Sequence, residues 1–309
     1  VRRDIGGPAV TRYDTPRIEV HEIASAEEGP YGVAITDDGA VWCSLVRGGA
    51  LIRLAPDGTP SSIALGGDPD LQQPSLLARG GDDTVWVTDT LGGRVLLVGD
   101  DGVRMSIDVP TADAQPFGVA SQDDGTVWFT ELGADTLGRV DILGRLTEFP
   151  SGTSGGFVSM IATSGESVWF TANAAGAIGF VRGGDSAVQI FAVPTIDAGP
   201  VGITVGDDGA AWFTEILAGQ IGRVDRSGAF TEFALPDRDA KPHAIAADPA
   251  GGYWFTLWAT DQLGHIDPDG AFAFIDLPSG HSEPHGLAVA ADGTVWVALE
   301  SGALVAVHP

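Results

Sequence analysis

The sequence predicts an all-β fold, a seven-bladed β-propeller with four antiparallel strands per blade. Three observations predict it. Trp42, Trp86, Trp128, Trp169, Trp212, Trp254 and Trp296 recur at intervals of 44, 42, 41, 43, 42 and 42 residues, and only Trp258 falls outside the series. Each of the seven sits in a short run of β-branched and aromatic residues, such as TVWVT, TVWFT or AAWFT, which reads as a strand. Twelve residues earlier a proline opens another strand in six of the seven repeats: Pro30, Pro74, Pro116, Pro200, Pro242 and Pro284. Phe157 takes that place in the fourth.

The remaining elements follow in order. Turn signals separate the first two strands of a repeat: DDG at 37–39, 123–125 and 207–209, and ADG at 291–293. A third strand is read in LGRV (137–140), IGFV (178–181), IGRV (221–224) and LGHI (263–266). A fourth is read in MSIDVP, LTEFP, QIFAVP, FTEFALP and FAFIDLP. The seventh repeat ends at ALVAVHP without a fourth strand. The segment Arg17–Ile23, RIEVHEI, has the matching alternation, and is expected to pair into the seventh blade and close the ring. Closure would leave no open seam between blades. Residues 1–16 are expected to be a flexible lead-in and 17–309 a single propeller.

Composition narrows the function. The net charge is −26, with a single lysine, Lys241. Nucleic acid and anionic membranes are therefore poor partners. No apolar run approaches the length of a membrane helix, and residues 1–16 lack the apolar stretch of a secretory signal. The one cysteine, Cys43, lies beside Trp42 in a core strand and is expected to be a buried thiol, which fits a cytoplasmic protein. A closed propeller needs no partner, so a monomer is expected. The acidic DDG turns lack the closing glutamate of a calcium loop and are read as turns.

The repeats differ at one phase. The residue after the proline position reads Tyr31, Ser75, Phe117, Val158, Val201, His243 and His285. The inner strands of a propeller line its channel, so these side chains should converge at one mouth. Two of the chain's six histidines share this phase in adjacent repeats, in KPHAI and EPHGL. Glu283 precedes the second, and Glu300 follows Trp296 by four residues on a strand that runs back to the same mouth. Singly, each would be read as a solvated or hydrogen-bonded surface group; jointly, His243, Glu283, His285 and Glu300 make a candidate site. Its oxygen donors suit magnesium better than zinc. His21, His265 and His308 are read as structural. His281 lies near the mouth with an open role. Asp89, Glu131 and Glu215 recur three residues after the tryptophan and are read as structural strand ends.

These motifs resemble the virginiamycin B lyases, also called streptogramin B lyases. The resemblance rests on WFTE, IGR and EF-x-LP in the blades, PHAI in the sixth, and EPHG with a late glutamate in the seventh, and runs from about Tyr31 to Val307. It implies a seven-bladed propeller that opens cyclic depsipeptide antibiotics at their ester by magnesium-dependent elimination. It implies His285 as general base or acid, and Glu283 and Glu300 as magnesium ligands. His243 would contact substrate or assist proton transfer, and Tyr31 would line the site. A neutral imidazole can take a proton α to a carbonyl near neutral pH, and no nucleophilic serine is needed.

The sequence departs from the family pattern at Leu257, where an acid is usual. That change bears on substrate range and turnover. Two other readings compete: a metal-dependent lactonase-like hydrolase, and a ligand-binding propeller without chemistry.

Overall fold

The structure is a computed structural model that describes residues 10–12, 16–182 and 187–309. It forms seven sheets arranged blade by blade. Each runs antiparallel from an inner strand that opens at or beside the proline phase, through the tryptophan strand, to an outer edge. The predicted closure is present: Arg17–Glu22 pairs antiparallel with Ala303–His308, Arg17 facing His308 and Glu22 facing Ala303. The seventh blade is thus built from both ends of the propeller sequence. The sixth blade has an additional fifth strand, Val10–Arg12, which runs parallel to Phe272–Asp276. The rest of the segment expected to be a flexible lead-in, residues 1–9 and 13–15, lies outside the described residues. No helix among the described residues is long and apolar enough to cross a membrane.

The tryptophans are core. Trp42, Trp128, Trp169 and Trp254 are fully buried, packed with the residues of the neighbouring blade. Burying an aromatic of this size at each blade interface contributes several kcal/mol of apolar transfer energy, which is why the repeat keeps it. Cys43 is buried and free, and burial pushes its thiol up to about 12, so it is not a nucleophile at neutral pH.

A bulge sets the geometry of the channel mouth. In every blade the ladder between the inner strand and the tryptophan strand skips two residues after the first pair, as between Pro242 and Ile245 or Pro284 and Leu287. Such a bulge re-aims the side chain it carries. It also leaves a backbone N–H without a ladder partner. A hydroxyl two residues after the tryptophan supplies one. Thr214 Oγ1 accepts from Gly202 N (2.8 Å) and donates to His243 O of the next blade (2.7 Å). Thr256 Oγ1 accepts from Ala244 N (3.0 Å) and donates to His285 O (2.9 Å). Ser44, Thr88, Thr130 and Thr171 make the equivalent bridges. In the seventh blade Ala298 holds this position and has no hydroxyl to give. There Gly286 lies so close to the first blade that a Cβ would stand 2.3 Å from Tyr31 O.

The fourth blade departs from the expected register. Val158, not Phe157, pairs three residues beyond the tryptophan, with Ala172, as Pro116 does with Glu131. Its inner hairpin closes on Ser164 and Ser167 around a two-residue turn, one residue shorter than a DDG-type turn. The phase shifts by one, so Ser159 rather than Val158 stands in line with Tyr31, His243 and His285. Ser159 O accepts from Thr130 Oγ1 at 2.5 Å, as His243 O does from Thr214.

Candidate active site

Tyr31, His243 and His285 arrive at one place because they share the bulged phase on the first, sixth and seventh blades. Their ring centroids are 5.0 Å apart for His243 and His285, 4.6 Å for Tyr31 and His285, and 6.0 Å for Tyr31 and His243. Below them the inner strands enclose a cavity of about 120 Å³, lined by Tyr31 and His243 together with Val33, Val119, Ile161 and Ile203. The floor is apolar, and only the mouth carries chemistry.

Glu300 joins this group. The strand Val295–Leu299 delivers it back to the mouth, and Glu300 Oε2 lies 2.5 Å from His285 Nε2. A carboxylate here accepts from Nε2–H, which leaves the lone pair on His285 Nδ1. That atom is buried and has no hydrogen-bond partner, and the same is true of His243 Nδ1. Both rings are held neutral at neutral pH. Burial, reinforced by the neighbouring His285, pushes His243 down to about 3. Burial also lowers the pKa of His285, and the Glu300 hydrogen bond offsets this only in part. Burial opposes the charge on Glu300, yet hydrogen bonds from Arg47 and His285 outweigh it and hold the pKa below the usual carboxylate value. Burial and the Glu300 charge push the Tyr31 hydroxyl up.

Glu283 is exposed, one residue before the strand Pro284–Val289. It takes a left-handed φ of 59°, a costly conformation for a residue with a Cβ. Two bonds hold it there: Glu283 N donates to Asp261 Oδ1 (2.9 Å), and Glu283 O accepts from Glu300 N (3.1 Å). The two glutamates are therefore joined through the backbone, and the charge of Glu283 acts on His285. Among the described residues no group of three or more His, Cys, Asp or Glu is arranged to hold a metal. Were both glutamate side chains to turn to one cation, it would have two carboxylates and would complete its shell with water or substrate oxygen. That donor set fits magnesium and is too poor for zinc, which takes three or four protein ligands.

Leu257 does not face the site. It is 1% exposed and packs in the core of the sixth blade with Leu235 and Ala240. The change from an acid therefore acts on packing rather than on the mouth. The related positions are internal ties: Asp89 pairs with Arg94 (2.9 Å), Glu131 accepts from Thr136, and Glu215 accepts from Gln220 (2.6 Å). His281 lies 3.5 Å from Glu22. His21 packs on Trp296, His265 on Trp254, and His308 bonds Thr294.

Two sets of residues at the site escape a reading by histidine and acid alone. Arg47 donates to Glu300 Oε1 across the seam between the last and first blades. Its signal is its phase: five residues after the tryptophan the other repeats carry Leu91, Gly133, Ala174, Leu217, Ala259 and Ser301, none of them charged. Thr214 and Thr256 fix the backbones of His243 and His285, and their signal is a hydroxyl two residues after six of the seven tryptophans. Replacing Thr256 by valine keeps the shape but strands one buried N–H and one C=O. Denaturant unfolding should show a loss of about 1–3 kcal/mol; a change under about 0.3 kcal/mol would remove the bridge from the account.

Comparison with known proteins places these features in a family. Residues 16–307 match the profile of the virginiamycin B lyase family. A virginiamycin B lyase of Nocardia farcinica (strain IFM 10152) is 42% identical over 220 residues, which cover 69% of this chain and 72% of that protein. A streptogramin B lyase structure superposes with a TM-score of 0.88 at 29% identity, covering 95% of this chain and 97% of that one. A catalytically inactive histidine-to-alanine virginiamycin B lyase from Staphylococcus aureus, crystallised with quinupristin, gives 0.87 at 28% identity over 95% of this chain and all of that one.

Proposed function

The chain belongs to the virginiamycin B lyase family, and we propose that it linearises type B streptogramins by magnesium-dependent elimination at the ester. The observation that carries this reading is the His285–Glu300 pair at the channel mouth, beside a second neutral histidine and with no activated hydroxyl or thiol nucleophile among its members.

The chemistry follows from the pair. Glu300 holds the proton of His285 on Nε2 and so leaves Nδ1 as the basic nitrogen, the same division of labour as in a carboxylate–histidine dyad. His285 takes the proton from the α carbon of the esterified threonine. The electron pair of that C–H bond forms the Cα–Cβ double bond, and the Cβ–O bond breaks with its pair going to the departing carboxylate. The imidazolium produced lies against Glu300, which stabilises its charge. His243 stays neutral because burial resists its protonation, and it bounds the reacting carbon together with Tyr31. Glu283 and Glu300 are the residues that would hold Mg2+, which supplies electrophilic stabilisation of negative charge on substrate oxygen.

The mouth suits a large amphipathic ligand. Leu71, Leu91, Phe157, Ile196, Leu217 and Trp258 are all exposed, and all lie in loops, or for Leu71 a short 3-10 turn, that the strand directions bring to the face carrying His285. A macrocycle could set apolar side chains on this rim while its ester reaches the polar pair. We read the protein as a cytoplasmic monomer, in keeping with the buried free Cys43 and the closed ring; sedimentation at micromolar concentration should give a single 31.8 kDa species.

The reading is tested with quinupristin as substrate. Ring opening should stop on chelation with EDTA and return with added Mg2+. Undiminished turnover after exhaustive chelation would sink the magnesium requirement.

A further inference from the structure

We propose that Arg47 is a positioning residue that holds Glu300 Oε1 and competes with the cation for it. This rests on the reading of Glu300 as a cation ligand. The guanidinium is anchored on three sides. Its Nε donates to Glu27 O (3.0 Å), its Nη2 to Ala26 O (2.6 Å), and its Nη1 to Glu300 Oε1. Gly29, at φ 62°, leaves room for it: a Cβ there would stand 2.7 Å from the guanidinium carbon. A planar fork fixed by two carbonyls is a preorganised donor, unlike a freely rotating lysine.

The consequence lies in how Glu300 divides its two oxygens. Oε2 is engaged by His285 and Oε1 by Arg47. Oε1 is the oxygen open to a cation that leaves the His285 bond undisturbed, and it is the oxygen Arg47 holds. Arg47 also brings a positive charge to within contact of that oxygen, which repels a divalent ion. Both effects have the same sign. The residue therefore sets two states of the mouth, one with Glu300 latched to the first blade and one with Glu300 on the cation. The latch lies at the seam where Ala298 withholds the hydroxyl bridge present at the other blade junctions. The side chain of Arg47 is 46% exposed, so Glu300 can leave it for the cation and water can take its place on the guanidinium.

The test is Mg2+ affinity of the intact protein by titration calorimetry, for the wild type, Arg47→Gln and Arg47→Lys, with circular dichroism confirming the fold of each. Arg47→Gln should bind Mg2+ about 2- to 10-fold more tightly, the scale expected for losing a partly exposed ion pair and a like-charge repulsion. Arg47→Lys, which keeps the charge but not the fork, should fall between the two. A role in scaffolding alone would loosen Mg2+ binding in Arg47→Gln. Unchanged or weaker affinity, or no Mg2+ binding by either protein, overturns the proposal. Quinupristin turnover by the wild type separates the two ideas: unchanged affinity with Mg2+-dependent ring opening overturns the latch alone. An inactive wild type that binds no Mg2+ overturns the proposed reaction with it.

Discussion

His285→Ala should lower kcat/KM on a type B streptogramin by about a hundredfold to ten-thousandfold, the range a positioned general base contributes. The protein should remain folded. The His285 side chain is 12% exposed and packs against Tyr31 at the mouth rather than in the blade core, so its loss should cost no more than about 2 kcal/mol of stability. The two readouts separate the interpretations. A large fall in activity with an intact unfolding transition assigns His285 to the reaction. A fall in activity matched by loss of the transition assigns it to the fold. The mutant should also keep its affinity for quinupristin within about tenfold, since a base acts in the transition state and adds little to ground-state binding.

Glu300→Gln should be nearly as damaging, with a loss of about tenfold to a thousandfold in kcat/KM. The amide is isosteric but cannot carry the charge that steadies the His285 imidazolium. It can also offer its NH2 toward His285 and reverse the tautomer, moving the basic nitrogen from Nδ1 to Nε2. At the same time it leaves Arg47 with no anionic partner and removes one of the two carboxylates offered to magnesium. Mg2+ binding should therefore weaken in Glu300→Gln, opposite in sign to the change expected of Arg47→Gln. Measuring both variants on the same calorimeter gives an internal control, because a general loosening of the mouth would weaken both.

Much of the fold was legible because the repeat is long and regular. The tryptophan spacing placed the blades, and the alternation in RIEVHEI located the closing strand that pairs with Ala303–His308. The strand Val10–Arg12 was not legible, since three residues carry no usable periodicity and its pairing with the sixth blade is a tertiary event. The slip in the fourth blade has a simple cause. The proline that marks the phase elsewhere is missing, and counting twelve residues from Trp169 assumes a turn one residue longer than the one present.

At the site, the shared phase brought His243, His285 and Tyr31 together, because a bulge repeated in every blade aims the same position inward. Glu300 followed from strand direction. Arg47 did not emerge from a search for acids and histidines, since its partner lies 253 residues away across the ring closure. Leu257 lies in the core for a physical reason. It lies one residue beyond the hydroxyl phase of its strand, and in a strand adjacent side chains point to opposite faces. That alternation turns it into the core although it stands near the mouth in sequence.

The most direct measurement is the mass of the product that the purified protein forms from quinupristin in the presence of Mg2+. Elimination breaks the ring without adding atoms, so the expected product is ring-opened, of unchanged mass, and carries a new carbon–carbon double bond at the former threonine. A product heavier by one water would show hydrolysis at the ester and would rule out elimination.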